Sequence, residues 1–127
     1  METKQKQISK HELNQFIGTT QYFKHWTKAL VYTDGVQYIG ANGGYWIIDL
    51  IASYQTGDHL KRNPFQAWKI KIVEKDGQRG FSAICTDGND NELIRQDGEY
   101  TDLPFDLEFF LQADPTHNAV LMITNEY

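Results

Sequence analysis

Phe65-Gln66-Ala67-Trp68-Lys69-Ile70-Lys71-Ile72-Val73-Glu74-Lys75-Asp76-Gly77-Gln78-Arg79-Gly80-Phe81-Ser82-Ala83-Ile84-Cys85 is the stretch that decides the fold. Successive side chains of an extended chain point to opposite faces. Trp68, Ile70 and Ile72 therefore share one side, and Lys69 and Lys71 the other. Asp76-Gly77 supplies a turn, after which Phe81, Ala83 and Cys85 resume the alternation. The same period recurs downstream. Leu93 to Tyr100, with Gln96-Asp97-Gly98 as a bulge or kink, Leu107 to Leu111 and Ala119 to Thr124 read as three more strands. They are divided by Asp87-Gly88-Asn89-Asp90-Asn91, by Leu103-Pro104 and by Asp114-Pro115-Thr116-His117-Asn118. This spacing of turns predicts an antiparallel meander of about five strands with one apolar face.

Upstream the period is helical. Ser9-Lys10-His11-Glu12 has the form of a capping box, Leu13, Phe16 and Ile17 follow at helical spacing, and Gly18 stops the element. Thr19 to Trp26 reads as extended and Leu30 to Thr33 as a short strand. Asp34-Gly35 ends that strand, with Asp34 placed to cap a short helix from Val36 to Asn42. Gly43-Gly44 stops this helix, Tyr45 to Gln55 forms the central one, and Asp58 to Pro64 is a polar connection. Helices first and strands after define an α+β protein, its short N-terminal helices packed on one face of a twisted sheet. Residues 1–8 are expected to be frayed and residues 9–127 to form a single domain.

The composition narrows the function. A net charge of −5 opposes sequence-independent nucleic-acid binding, which needs a basic face, and opposes an anionic membrane surface. The charge suits a protein that docks on a basic partner surface. With one cysteine, Cys85, neither an intramolecular disulfide nor a thiolate metal cluster is expected. The polar start lacks an apolar signal region, and no apolar run approaches the roughly 20 residues of a membrane helix, so a reducing cytoplasm is the expected compartment.

One carboxylate stands out. Asp49 lies inside Tyr45-Trp46-Ile47-Ile48-Asp49-Leu50-Ile51-Ala52, which is apolar almost all round. Burying a lone Asp is unfavourable unless it is bonded or paired, so Asp49 is expected either to brace the interior or to serve a site. On a helix Trp46, Asp49 and Ser53 share one face, where an indole donor, a carboxylate and a hydroxyl would gather around a ligand. Asp34, Tyr45 and Asp102 complete the candidate ligand-binding set, and His25 beside Trp26 is a further candidate pocket residue.

Other motifs fail. Asp87 to Gly98 has oxygen ligands at alternate positions but is no calcium loop, since Glu92 stands where Gly is needed and Gly98 where Glu is needed. His11, His25, His59 and His117 have no metal-ligand spacing. Cys85 reads as a small core residue, Ser53 sits in no nucleophile elbow, and Gly40 to Gly44 is no phosphate loop. No catalytic residue, cofactor or metal is expected.

Thr33-Asp34-Gly35-Val36, Gly44-Tyr45-Trp46-Ile47-Ile48-Asp49, Tyr100-Thr101-Asp102-Leu103-Pro104 and the closing Glu126-Tyr127 carry a resemblance. Together they resemble a family of small bacterial proteins of unknown function, over essentially residues 11–127. The resemblance implies a bacterial cytosolic protein, often associated with plasmids and mobile elements, and brings no activity with it.

The leading expectation is a non-enzymatic protein that acts by binding a protein partner, with modulation of a host system, including an anti-defence role, as the analogy a mobile element suggests. The alternatives are a ligand binder or enzyme using Trp46, Asp49 and Ser53 with Asp34, Asp102 or His25, and a self-associating protein. In the last case an exposed apolar strand at 119–124 would pair across a two-fold axis as a homodimer.

Overall fold

The computed structural model describes residues 8–18 and 21–127. In chain order its helices and strands are α1 (Lys10–Leu13), β1 (Phe23–Lys24), β2 (Val31–Tyr32), α2 (Asp34–Ile39), α3 (Tyr45–Ser53), α4 (Asp58–Arg62), β3 (Phe65–Lys75), β4 (Gln78–Thr86), β5 (Glu92–Gly98), β6 (Leu107–Asp114) and β7 (Asn118–Ile123). A wide turn, Gly40–Gly44, joins α2 to α3, and a 3-10 turn, Thr124–Glu126, follows β7.

The α+β class holds, while the sheet corrects the expectation of about five antiparallel strands in a meander. It has seven strands in the order β1-β2-β7-β6-β3-β4-β5, and β2 runs parallel to β7, so it is mixed. Strands β3, β4 and β5 do follow one another as hairpins, the first through Asp76 (φ 54°) and Gly77 (φ 77°), both in the left-handed region that a tight hairpin turn requires. The chain then crosses back, and β6 pairs with the far side of β3. That is the order of a Greek key.

Bonds that no alternation encodes hold the crossing. Thr101 N–H donates to the Arg79 carbonyl (2.9 Å), and the Arg79 guanidinium donates to the Leu103 carbonyl (2.6 Å). The Asp106 carboxylate takes the Ile72 N–H (2.8 Å), continuing the ladder where β6 has not yet begun. The only register shift between β4 and β5 falls at Cys85/Thr86, not at Gln96-Asp97-Gly98. Residues 119–124 are no exposed edge, because β7 pairs with β6 on one side and β2 on the other.

The core lies on one face of the sheet. Trp68, Ile70, Ala83, Cys85, Phe109, Leu111 and Leu121 meet Ile39, Ile47, Ile48 and Ile51 from the helices. Inside it Gln55 and Gln66 exchange amide hydrogen bonds (both 2.9 Å), and the Trp68 indole donates to Gln66 Oε1 (2.9 Å). Among the described residues no buried side-chain nitrogen or oxygen lacks a partner, as a packed interior demands. Ile8, expected to fray, is buried at the edge of this core, and the rest of the segment 1–8 lies outside the described residues. Asp58 to Pro64, expected to be a polar connection, contains α4, whose Leu60 is buried.

Helix α2 does not stop cleanly. Gly43 adopts φ 100°, and Asn42 leaves the helical region, so the chain kinks directly into α3. Ser9 caps α1 as expected, its Oγ accepting the Glu12 N–H (3.4 Å), but α1 ends after one turn. Asp34 is the first residue of α2 rather than its cap, and Thr33, at the cap position, makes no side-chain capping bond. The Glu126 carboxylate caps the helix instead. It accepts the Thr33 hydroxyl (2.5 Å), the Gly35 N–H (3.1 Å) and the Ile123 N–H (3.2 Å). A Cβ at Gly35 would come within 2.7 Å of Glu126 Oε1 and of Ile123 Cδ1.

Glu126→Ala should therefore destabilise the fold by about 1–3 kcal/mol, since it strands two amides and a hydroxyl. Gly35→Ala should destabilise it by a comparable amount through overpacking. Urea unfolding monitored by circular dichroism checks both, and a midpoint unchanged in Glu126→Ala would refute the clamp.

Candidate functional site

The site grows from the turn between β1 and β2. His25 N–H bonds the Leu30 carbonyl (3.0 Å) and Lys28 N–H bonds the His25 carbonyl (2.9 Å), with Lys28 in the left-handed region (φ 64°). This tight turn directs Trp26 outward, where it is 79% exposed, and tucks His25 inward at 5%.

The hydrogen bonds fix the state of His25. A backbone N–H only donates, and Thr27 N–H reaches His25 Nδ1 at 3.2 Å, so Nδ1 is an acceptor. The Thr27 hydroxyl lies 2.7 Å from the same nitrogen, and its oxygen accepts the Ala29 N–H (3.3 Å). The proton of the neutral imidazole therefore sits on Nε2, which donates to Asp49 Oδ1 at 2.6 Å. The Trp26 indole N–H donates to the same oxygen at 3.1 Å. Oδ2 has no hydrogen-bond partner among the described residues.

Asp49 is thus neither lone nor buried, which corrects the reading of an acid wrapped in apolar neighbours. Its side chain is 52% exposed. The reason is its place on α3. Tyr45, Asp49 and Ser53 follow one another at intervals of four and form the exposed stripe, while Ile47, Ile48, Ile51 and Ala52 face the core.

The expected gathering of Trp46, Asp49 and Ser53 does not form. The Trp46 ring packs on Phe81 (4.7 Å between centroids), and the Ser53 hydroxyl donates back to the Leu50 carbonyl (2.6 Å). Asp34 opens α2, and Asp102 is exposed on the crossing between β5 and β6. Tyr45 does belong with Asp49, one turn before it on the same stripe, and its hydroxyl accepts from the Gln37 amide (3.1 Å). Tyr32 is close by. Burial first, then the neighbouring Tyr45 and Asp49, pushes its hydroxyl pKa above the usual range.

Sequence reasoning missed the roles of Trp26 and Thr27. The available signal was the run His25-Trp26-Thr27 just after an extended segment, with three polar or aromatic side chains in one tight turn.

A second constellation has the residue types of a thiol site and lacks its chemistry. Cys85 Sγ lies 3.8 Å from His59 Nε2, and His59 Nδ1 lies 3.3 Å from the Asn63 amide. Cys85 is fully buried, and burial, with Asp87 adding to it, pushes the thiol up to about 12. A thiol held protonated in this way is no nucleophile. Burial also lowers the pKa of His59. Among the described residues no group of three His, Cys, Asp or Glu side chains is placed to hold a metal ion.

The molecule is therefore an α+β protein with a one-sided mixed sheet, carrying at its edge a hydrogen-bonded Trp–Asp–His cluster open to solvent. It belongs to the family of unknown function DUF6876, whose family model matches residues 7–127. No curated protein and no solved structure matches the chain.

Removing the acceptor tests the cluster. Asp49→Ala should cost about 1–2 kcal/mol by leaving the buried His25 Nε2–H without its partner. Asp49→Asn keeps an amide oxygen for both donors and should cost under about 1 kcal/mol. Denaturant midpoints of the two variants check the ordering, and equal midpoints would refute it.

Proposed function

We propose that this chain is a non-enzymatic protein that binds a protein partner through the surface formed by Trp26, Asp49 and Tyr45. Trp26 carries the reading: a large apolar ring stands 79% exposed and is held there by its bond to Asp49, which a buried histidine holds in turn. Keeping an indole in water forgoes burial worth about 2 kcal/mol, and ordering it in advance lowers the entropy lost on association. Trp and Tyr are among the side chains most enriched at binding hot spots. Tyr45, 46% exposed, flanks the carboxylate, and the net charge of −5 favours a partner with a basic surface. No helix among the described residues is long and apolar enough to cross a membrane. The acidic composition supports a cytoplasmic location, and the resemblance to plasmid-borne proteins supports a host protein as the partner, modulated on behalf of a mobile element.

Capture from an extract of the source host tests the reading with three equally folded baits: wild type, Trp26→Ala and Val73→Ser. Val73 is an exposed apolar residue on the opposite face of the sheet. A protein retained by wild type and Val73→Ser but lost with Trp26→Ala is expected. Identical retention by all three would overturn the proposal.

One observation favours an enzymatic alternative. Asp49, His25 and Thr27 form a continuous chain at 2.6 and 2.7 Å, the arrangement of an activated hydroxyl. It ranks second because the Thr27 oxygen already accepts the Ala29 N–H, and the Thr27 and Lys28 amides are bonded within the turn, so these amides are not free to stabilise an oxyanion. Under this alternative a fluorophosphonate probe would label wild type and spare Thr27→Val. We expect labelling of neither.

A further inference from the structure

We propose that the Trp26–Asp49 surface recognises arginine: it takes a guanidinium presented by the partner polypeptide, stacked on the indole and hydrogen-bonded to Asp49 Oδ2. The inference rests on the protein-binding reading above and names the chemistry of the contact.

Charge comes first. His25 is neutral in this hydrogen-bond pattern, because Nδ1 accepts from the Thr27 amide, so it does not cancel the carboxylate. Trp26 donates a hydrogen bond but carries no charge. Asp49 therefore keeps a full negative charge at a half-exposed position, with one oxygen saturated by two N–H donors and the other without a partner among the described residues. A ligand that answers this must be cationic and able to donate to a single oxygen.

The ring supplies the second requirement. The Trp26 and His25 rings are tilted by 34° with centroids 5.4 Å apart, so they do not lie flat on one another. At 79% exposure the Trp26 indole still offers ring surface to solvent. An aromatic face beside a carboxylate attracts a cation through the ring quadrupole and the Coulomb field together. Arginine satisfies both contacts at once, since its plane lies on the ring while an edge N–H reaches the oxygen. A lysine ammonium is a compact, strongly hydrated point charge with no plane to stack. Bidentate pairing is not required, and the saturated Oδ1 does not offer it.

The turn also clears the ground for a cation. Lys24 alternates with Phe23 and His25, so its side chain leaves by the opposite face. There it lines, with Lys28, Leu30, Val31, Thr116 and His117, a separate cleft of about 330 Å³. The lysines of the hairpin are thus directed away from the carboxylate, and Tyr45 and Tyr32 are its neighbours instead.

The chain has three tryptophans, so three indole N–H resonances appear in a nitrogen–proton correlation spectrum, and Trp26→Phe assigns the one that matters. The probes are acetyl-Gly-Arg-Gly-amide, its lysine counterpart, and its citrulline counterpart, which keeps the shape and loses the charge. The arginine peptide should shift the Trp26 indole signal saturably at millimolar concentration. The lysine peptide should bind at least several-fold more weakly, and the citrulline peptide should give no saturable shift. In Asp49→Asn, folded and still able to hold Trp26, the arginine response should weaken about tenfold. Equal responses to arginine and citrulline, an undiminished response in Asp49→Asn, or no shift up to about 10 mM would each overturn the proposal. The first comparison needs only the wild-type protein. Capture that depends on Trp26 while the arginine peptide gives no shift would overturn the arginine assignment alone and leave the protein-binding reading standing.

Discussion

The carboxylate of Glu126 joins the turn after β7 to the start of α2, and the rest of the architecture depends on that join. It reaches back 93 residues to the Thr33 hydroxyl, caps the amide of Gly35 at the start of α2, and closes its own turn on Ile123. Thr33 N–H bonds the Leu121 carbonyl beside it, so β2 lies parallel to β7 with only two residue pairs of ladder. Two pairs are too few to set a register alone. The carboxylate at a helix N-terminus adds charge-assisted bonds where the macrodipole favours a negative group. Once α2 is anchored, the kink at Gly43 returns the chain over the sheet as α3, and Asp49 arrives against the β1–β2 turn. The pairing of His25 with Asp49 is therefore a consequence of how the C-terminus is tied down.

Legibility follows from what encodes each feature. The strands from Phe65 onward and the central helix announce themselves, because burial of one face imposes a period on many residues at once. The strand order does not, since the Greek-key crossing is held by Arg79, Thr101 and Asp106 bonding to backbone groups, single contacts without a period. Strand β2 falls inside Leu30 to Thr33, read as a short strand, and β1 inside the segment read as extended, but with two residues each they carry no pattern from which their pairing could be read. Helix α4 hides because Asp58-His59-Leu60-Lys61-Arg62 contains one apolar residue, and that one is enough to anchor it. The exposure of Asp49, by contrast, is written in the spacing. Tyr45, Asp49 and Ser53 at intervals of four mark a solvent-facing stripe on a helix whose composition is otherwise apolar, and composition alone suggests burial.

The tryptophans show the same division. Trp68 is buried with its indole N–H satisfied by Gln66, and Trp46, partly buried on α3, packs on Phe81 against the core. Both serve the core, which is where a large ring normally goes. Trp26 differs in its surroundings, not its chemistry. The tight turn with Lys28 in the left-handed region leaves the ring outside, and the carboxylate, already bonded to His25, fixes its edge.

This arrangement bears on recognition against turnover. A general base needs a nitrogen lone pair free to take a proton from a substrate. In His25 the lone pair of Nδ1 is occupied by Thr27 and the proton of Nε2 by Asp49, within a residue that solvent barely reaches. In Cys85 the thiol is buried and held protonated. The groups at these two places that most readily do covalent chemistry are satisfied internally, whereas an aromatic face and one uncancelled negative charge stand in water side by side. Against such a pair a neutral apolar group would strip water from the carboxylate without replacing it, and an anion would be repelled. A planar cation would meet both demands, which is what the proposed arginine contact asks of the bonds that keep the indole outside.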